Sequence, residues 1–244
     1  MERVKSICTG MTLETGVGLT ESRGVGWMSL IPADHKEHLK IELAAKLEKP
    51  VSIVMFTQEL ECKYCSETRQ LVQEVAELNE KIKLEVYDFV ANADKAREYG
   101  IAKVPALAII GERDYRVRYY GFPFGYEFQT LTEALINVSK GRTDISDKTR
   151  ELLKEVKTPV HIQVFVTLTC PHCPVAATTA HKFAIENDLI RADVIDSGEF
   201  PDLAIKYGVV GVPKVIANEK VEFVGALPED LFLEHIILAT AQGI

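Results

Sequence analysis

The sequence predicts an α/β protein made of two tandem units, each with a central mixed β-sheet flanked by helices. Three observations indicate this fold class: a duplicated set of motifs, apolar strands alternating with amphipathic helices, and a polar stretch between the halves. A chain of 244 residues accommodates two small domains. We expect one unit over residues 28–143 and a second over residues 144–244, with the boundary in the polar stretch 141–147.

The duplication is visible in the order and spacing of three motifs. A C-x-x-C pair, a Tyr-Gly dipeptide and a Val-Pro dipeptide follow one another in each half. Pro105 lies 40 residues after Cys65, and Pro213 lies 40 residues after Cys173. Because three motifs match in both order and spacing, the two halves are predicted to share one fold.

Each unit is predicted to begin with a charged helix, followed by an apolar, β-branched strand of the kind buried in parallel sheets. A helix that carries the C-x-x-C pair, a second strand and a short helix ending at Tyr-Gly come next. Two closely spaced strands and a last helix then complete a parallel crossover plus a hairpin. The predicted long helices cover residues 35–48, 63–80, 128–140, 146–156, 171–188 and 229–241. The predicted strands cover residues 51–57, 106–110, 115–120, 160–167, 214–217 and 220–224, and two more end near Asp88 and Asp196.

Composition and charge exclude several classes of protein. Apolar residues make up 47% and charged residues 26% of the chain, which is ordinary globular composition. No run approaches 18 uncharged apolar residues, so no transmembrane helix is expected. The net charge of −8, without a cluster of Lys and Arg, argues against nucleic-acid and membrane partners.

Residues 1–27 are expected to form a flexible tail, in which Cys8 is assigned no role. The tail contains no apolar run of signal-peptide length, so we expect a cytoplasmic protein. Asn and Gln together number only 11 of 244, which is typical of thermophiles. In the cytoplasm, C-x-x-C pairs are usually redox-active or metal-binding.

The chemistry of the two pairs depends on their place at the start of a helix. There, Cys62 and Cys170 would lie beside unpaired N–H groups and the positive end of the helix dipole, which favour the thiolate. Lowering a cysteine pKa from about 8.5 to about 6 raises the thiolate fraction at pH 7 from a few per cent to about 90%. Cys62 and Cys170 are therefore predicted to be nucleophiles. Cys65 and Cys173, one turn further on, are predicted to be more buried and to resolve the mixed disulfide.

The residues inside the pairs are predicted to tune the two sites differently. Pro171 is expected at the first helical position, and His172 can further stabilise the Cys170 thiolate. Lys63 and Tyr64 supply a longer, solvated cation at the first site. Because stabilising the reduced form makes a disulfide more oxidising, the C-terminal site is predicted to be the more oxidising.

The dipeptides Val104-Pro105 and Val212-Pro213 each precede a predicted strand, where proline suits a turn or a cis bond. A proline that merely opens a strand would explain one of them. Their matched spacing from the C-x-x-C pairs instead predicts that each loop lies beside a redox site and binds an extended substrate peptide.

These motifs resemble the thioredoxin and glutaredoxin superfamily. The doubled unit, with Cys62-Lys63-Tyr64-Cys65 and Cys170-Pro171-His172-Cys173, resembles the two-unit protein disulfide oxidoreductases of thermophiles over about residues 28–244. This resemblance implies two tandem thioredoxin folds, a cis proline facing each site, and oxidation, reduction and isomerisation of protein disulfides. It implies no cofactor and no metal.

One departure concerns the proton acceptor for the resolving thiol. Thioredoxins carry a buried aspartate about six residues ahead of the first cysteine, whereas this chain has Met55 and Phe56 in one unit and Val164 in the other. The proton acceptor is therefore not identified from the sequence.

Three alternatives remain open. The four cysteines could bind zinc or an iron–sulfur cluster, although 104 residues separate the pairs. The protein could be an electron relay that is reduced by a thioredoxin-reductase-like flavoprotein and passes electrons to a peroxiredoxin. It could also be a peptide-binding module that uses the fold without the thiols.

Overall fold

A computed structural model describes residues 29–241; the predicted tail 1–27, with Cys8, lies outside the described residues. Each half follows the predicted order α-β-α-β-α-β-β-α, which confirms the fold class. The first half contains α1 (Ala33–Lys46), β1 (Val51–Thr57), α2 (Cys65–Ala76), β2 (Ile82–Asp88), α3 (Ala93–Glu98), β3 (Ala106–Ile110), β4 (Val117–Tyr120) and α4 (Glu127–Lys140). The second half contains α5 (Asp147–Leu153), β5 (Val160–Val166), α6 (Cys173–Glu186), β6 (Ile190–Asp196), α7 (Pro201–Lys206), β7 (Lys214–Ala217), β8 (Val221–Val224) and α8 (Glu229–Ala241). None of the helices in residues 29–241 has the length and apolar character needed to span a bilayer.

The strands of both halves form one eight-stranded sheet in the order β2-β1-β3-β4-β6-β5-β7-β8. Within each half a parallel pair is extended by an antiparallel hairpin, as the sequence predicts. The halves join where β4 pairs with β6 in parallel, from Val117 opposite Ala192 to Tyr120 opposite Ile195. No local pattern in the sequence indicates the β4–β6 pairing. Both strands are short, and the sequence predicts each of them as part of the sheet of its own half.

Strand direction places both C-x-x-C pairs at one edge of the sheet. The strands β1, β2, β4, β5 and β6 run in the same direction, so their carboxyl ends share that edge. One pair follows β1 and the other follows β5. These two strands are four strand spacings apart in the sheet, which corresponds to about 19 Å.

Both faces of the sheet are covered, because successive side chains of a strand point to opposite faces. Ile53 and Met55 belong to the larger core cluster, and Val54 and Phe56 belong to the smaller one. The larger cluster packs against α1, α2, α4, α5, α6 and α8, and the smaller against α3 and α7. The helices that carry the two C-x-x-C pairs therefore lie on the same face.

The helices at the C-x-x-C pairs begin two residues later than predicted, at Cys65 and Cys173. A hydrogen-bonded turn comes first, in which the Cys173 N–H lies 3.4 Å from the Cys170 carbonyl oxygen. His172 is the N-cap of α6, so the prediction that Pro171 occupies the first helical position is wrong. Pro174, the second residue of α6, is the proline within the first turn.

The start of α4 in the first half packs against the loop that leads to the second C-x-x-C pair. The Tyr126 N–H donates a hydrogen bond of 3.0 Å to the Leu168 carbonyl oxygen. Gly125 has φ +60°, and a Cβ atom there would lie 2.6 Å from the same oxygen. A side chain at this position would therefore be strained and would push the two halves apart.

We expect Gly125→Ala to lower the free energy of unfolding by about 1–3 kcal/mol, as measured by chemical denaturation. The matched control is Gly208→Ala, because Gly208 has a similar φ of +57° but open space where the Cβ would lie. Only the Gly125 variant should also slow thiol exchange at Cys170, two residues after Leu168. Equal losses in the two variants would contradict a steric contribution at Gly125.

Candidate redox sites

Each C-x-x-C pair forms a disulfide within itself, Cys62 with Cys65 and Cys170 with Cys173. The second cysteine of each pair is the more buried. Cys65 is 4% exposed while Cys62 is half-buried, and Cys173 is 0% exposed against 8% for Cys170. An incoming sulfur atom therefore reaches the first cysteine of each pair more readily.

The Val-Pro loops lie at the same edge of the sheet as the cysteines. The Val104–Pro105 and Val212–Pro213 peptide bonds are both cis. Each proline directly precedes a strand, β3 or β7, that runs antiparallel to the strand leading to the cysteines. At the second site the Cys170 Sγ atom lies 3.7 Å from the Val212 carbonyl oxygen. The backbone next to Pro213 is therefore in contact with the first cysteine of the second pair.

Aromatic rings hold the dipeptide of the first site in place. The Lys63 Nζ atom lies 4.8 Å from the centre of the Tyr64 ring, and the interaction with Tyr64 raises the pKa of Lys63. The Tyr64 ring stacks on Phe122 at 5.9 Å, and Phe122 stacks on Phe124 at 5.1 Å. Phe122, which follows β4, thus contacts the first site directly, and Phe124 supports it from behind.

The dipeptide of the second site has a different environment. Pro171 and His172 are both exposed. The imidazole of His172 thus lies in solvent next to the redox pair, whereas the cation of Lys63 is held over an aromatic ring.

A carboxyl group that sequence reasoning missed lies in the first turn of α4, whose N-terminal end contacts the loop before the second C-x-x-C pair. Glu127, the first residue of α4, is fully buried and accepts a 2.8 Å hydrogen bond from the Thr130 hydroxyl at Oε2. Its Oε1 atom has no hydrogen-bond partner among the described residues. Burial raises the pKa of Glu127 to about 8, and the nearby Asp196 carboxylate adds to this rise. Its neighbour Tyr126 donates a hydrogen bond to Leu168, two residues before Cys170, which brings the N-terminal end of α4 to the loop that leads to the second site.

A second carboxyl group belongs to the second half and lies at the first site. Glu199, in the loop after β6, accepts a 2.5 Å hydrogen bond from the Phe122 N–H at the first site. Burial raises the pKa of Glu199 to about 7, although the bond from Phe122 and the charge of Lys63 oppose the rise. Glu199 of the second half therefore lies at the first site, and Glu127 of the first half follows the residue that contacts the loop before the second site. No signal near the cysteines in the sequence could have identified either one.

Comparisons with known proteins match both halves. The family model for a thioredoxin domain matches residues 51–123 and 160–238. The crystal structure of a protein disulfide oxidoreductase from Aeropyrum pernix is similar, with a TM-score of 0.81 and 32% identity. That similarity covers 86% of this chain and 94% of the other.

Two curated proteins show how the similarity extends to shorter and longer chains. The thioredoxin of Methanocaldococcus jannaschii is 36% identical over 78 residues, which is 32% of this chain and 92% of its own length. The AhpF component of the alkyl hydroperoxide reductase of Escherichia coli is 25% identical over 191 residues, or 78% of this chain. The chain spans only 34% of the length of that component.

Proposed function

Because the chain belongs to the thioredoxin-domain family through both of its halves and is a protein disulfide oxidoreductase, we propose that both C-x-x-C pairs exchange disulfides with protein substrates. The observation that carries this proposal is the pair of disulfides at one edge of the sheet, each with its own Val-Pro loop. The duplication therefore supplies two reaction centres in one chain.

We assign the attack to Cys62 and Cys170, the more accessible cysteine of each pair. Their thiolate attacks one sulfur of a substrate disulfide, forms a mixed disulfide and releases the first substrate thiol. The thiolate of Cys65 or Cys173 then attacks the sulfur of Cys62 or Cys170 in the mixed disulfide, and the second substrate thiol is released. The pair is left oxidised, and the same steps in reverse transfer a disulfide to a substrate dithiol.

At the second site, we assign the proton of the resolving thiol to Glu127. Cys173 must lose its proton before it attacks, and it is fully buried, so bulk water does not reach it. A carboxyl group with a pKa of about 8 exchanges protons near neutral pH, where a general base is most effective. Glu127 then accepts a proton when the pair is oxidised and returns it when the pair is reduced.

We place the boundary between the two units at residues 143 and 144. In support, α4 ends at Lys140, followed by Gly141 with φ +65°, and α5 begins at Asp147. The six residues between these helices, 141–146, lie within the polar stretch 141–147 in which the sequence predicts the boundary. On this proposal each unit contains one complete redox pair and its Val-Pro loop.

A second candidate role is an electron relay from a flavoprotein reductase to a peroxiredoxin. The similarity to the AhpF component of an alkyl hydroperoxide reductase, over 78% of this chain, favours this role. It uses the same thiol chemistry with different partners. For either role we propose a cytoplasmic location, because cytosolic reductants would regenerate the dithiol form.

The two sites are expected to differ in reduction potential, with the second more oxidising by about 30 mV or more. The experiment uses one variant with Cys62→Ser and Cys65→Ser and another with Cys170→Ser and Cys173→Ser. Each is equilibrated with dithiol redox buffers at several pH values, and free thiols are trapped and counted. The Cys170 pKa should be lower than the Cys62 pKa, since solvent-exposed His172 can stabilise a neighbouring thiolate.

A lower pKa or a more oxidising potential at the first site would contradict this order of the two sites. If neither pair exchanged with the redox buffers, the proposed function itself would be wrong.

A further inference from the structure

An open polar cleft of about 470 Å³ borders the first redox pair. It lies between α2 and the edge strand β2, and Cys62 and Cys65 form part of its wall. The rest of the wall includes three charged side chains from different segments: Glu59 after β1, Arg69 on α2 and Asp88 at the end of β2. The redox disulfide therefore faces a space of the size that small ligands occupy in proteins.

The equivalent side of the second redox pair is closed by the first half. There, Tyr126 at the start of α4 bonds to Leu168, and Gly125 packs against the same carbonyl group. Ala177, four residues after Cys173, is fully buried, whereas its counterpart Arg69, four residues after Cys65, is exposed. In the sheet, β6 has β4 as its outer neighbour, whereas no strand within residues 29–241 pairs with the outer side of β2. The first half thus covers this side of the second redox pair. Within residues 29–241, the same side of the first pair stays open.

The charges of the open cleft are available to a ligand. Arg69 and Glu59 are exposed and form no ion pair within residues 29–241. Asp88 accepts hydrogen bonds from the Val90 and Ala91 N–H groups, which fixes its carboxylate at the rim. A guanidinium binds a carboxylate through two parallel hydrogen bonds, while carboxylates attract an ammonium group.

We propose that the first site also reacts with small zwitterionic disulfides of the amino-acid type, with cystine as the simplest, and that the second site does not. The ligand carboxylate would bind Arg69, and its ammonium group would lie towards Glu59 and Asp88. This inference rests on the proposed function, because it uses the same cysteines.

The reaction balances without a further reactant. The Cys62 thiolate attacks one sulfur of the small disulfide, and the first small thiol leaves. The Cys65 thiolate then attacks the Cys62 sulfur, and the second small thiol leaves. The pair loses two electrons and becomes a disulfide, and the small disulfide gains two electrons and becomes two thiols.

The test measures single-turnover oxidation of the fully reduced protein by acid quenching and thiol counting. One protein keeps only the first pair (Cys170→Ser, Cys173→Ser) and the other keeps only the second (Cys62→Ser, Cys65→Ser). Each is mixed with cystine or with the uncharged bis(2-hydroxyethyl) disulfide. We expect the ratio of the cystine rate to the uncharged rate to be about tenfold higher at the first pair.

Arg69→Ala, in the protein that keeps the first pair, should lower the cystine rate about tenfold and leave the uncharged rate unchanged. Arg69→Lys should restore part of the loss, because it keeps the charge without the planar fork. The matched control is Arg97→Ala, an exposed arginine on α3 outside the cleft.

An unchanged cystine rate in Arg69→Ala, or equal rate ratios at the two pairs, would overturn the inference. If the same reduced proteins were still oxidised at the normal rate by a protein disulfide, the proposed exchange with protein substrates would remain valid. Failure of the reduced pairs to react with any disulfide would instead contradict the proposed function.

Discussion

The double variant Cys62→Ser, Cys170→Ser should show no dithiol-driven reduction of a model protein disulfide. Serine lacks the sulfur that forms the mixed disulfide, and its hydroxyl group does not ionise near neutral pH. Each single variant should keep part of the activity, because each half has its own strand, helix and Val-Pro loop around its pair. The measurement is the initial rate of substrate reduction with dithiothreitol as the electron donor, corrected for the rate without protein.

Replacing the other cysteine of each pair provides the control for this experiment. Cys65→Ser and Cys173→Ser retain the attacking thiol, so the mixed disulfide with substrate should accumulate and be visible on a non-reducing gel. Far-UV circular dichroism should show that all variants are folded, since Ser and Cys are similar in size. Full activity in the double variant would exclude the assignment of Cys62 and Cys170 as nucleophiles.

Glu127→Gln is expected to slow proton-coupled exchange at the second site by about 100-fold while leaving the first site unchanged. Glutamine keeps the size and the hydrogen-bonding capacity of the side chain but cannot accept the Cys173 proton. The rate is measured against pH in the protein that keeps only the second pair. The rise in rate that accompanies ionisation of Glu127, with its pKa of about 8, should disappear in the variant.

The same substitution should change how stability depends on pH. The pKa of Glu127 is raised from 4.5 to about 8 in the folded protein, so the folded state retains a proton that the unfolded state has lost. The stability from this group is complete below pH 4.5 and is lost as the pH rises to about 8. Between these two pH values the free energy of unfolding should fall by about 5 kcal/mol because of Glu127. In Glu127→Gln this pH-dependent fall should be absent.

Denaturation at a series of pH values checks the stability effect. Glu133→Gln, which removes a half-buried carboxyl group elsewhere on α4, is the matched control and should follow the wild-type profile. Parallel pH profiles for wild type and Glu127→Gln would show that Glu127 does not titrate with a raised pKa. A second-site rate unaffected by the substitution would exclude Glu127 as the proton acceptor.

Local sequence patterns were sufficient to predict most elements of the fold. The strand predicted over residues 51–57 is β1, Val51–Thr57, because an apolar β-branched run has few alternatives to a buried strand. Helix starts were less predictable. The turn between Cys170 and Cys173 delays α6 by two residues, and neither propensity nor spacing distinguishes such a turn from a first helical turn.

The sequence by itself determined the duplicated α/β fold and the positions of the four paired cysteines, since both follow from short-range periodicity and matched spacing. Only the tertiary structure decided how the halves influence each other. Contacts between the halves bring Glu199 to the first redox site and the start of α4 to the loop before the second, and the Arg69 cleft lies beside β2, the edge strand of the sheet within residues 29–241. An acidic residue at the start of a helix is ordinarily solvated. In the folded protein Glu127 is fully buried, and this burial raises the pKa of its carboxyl group.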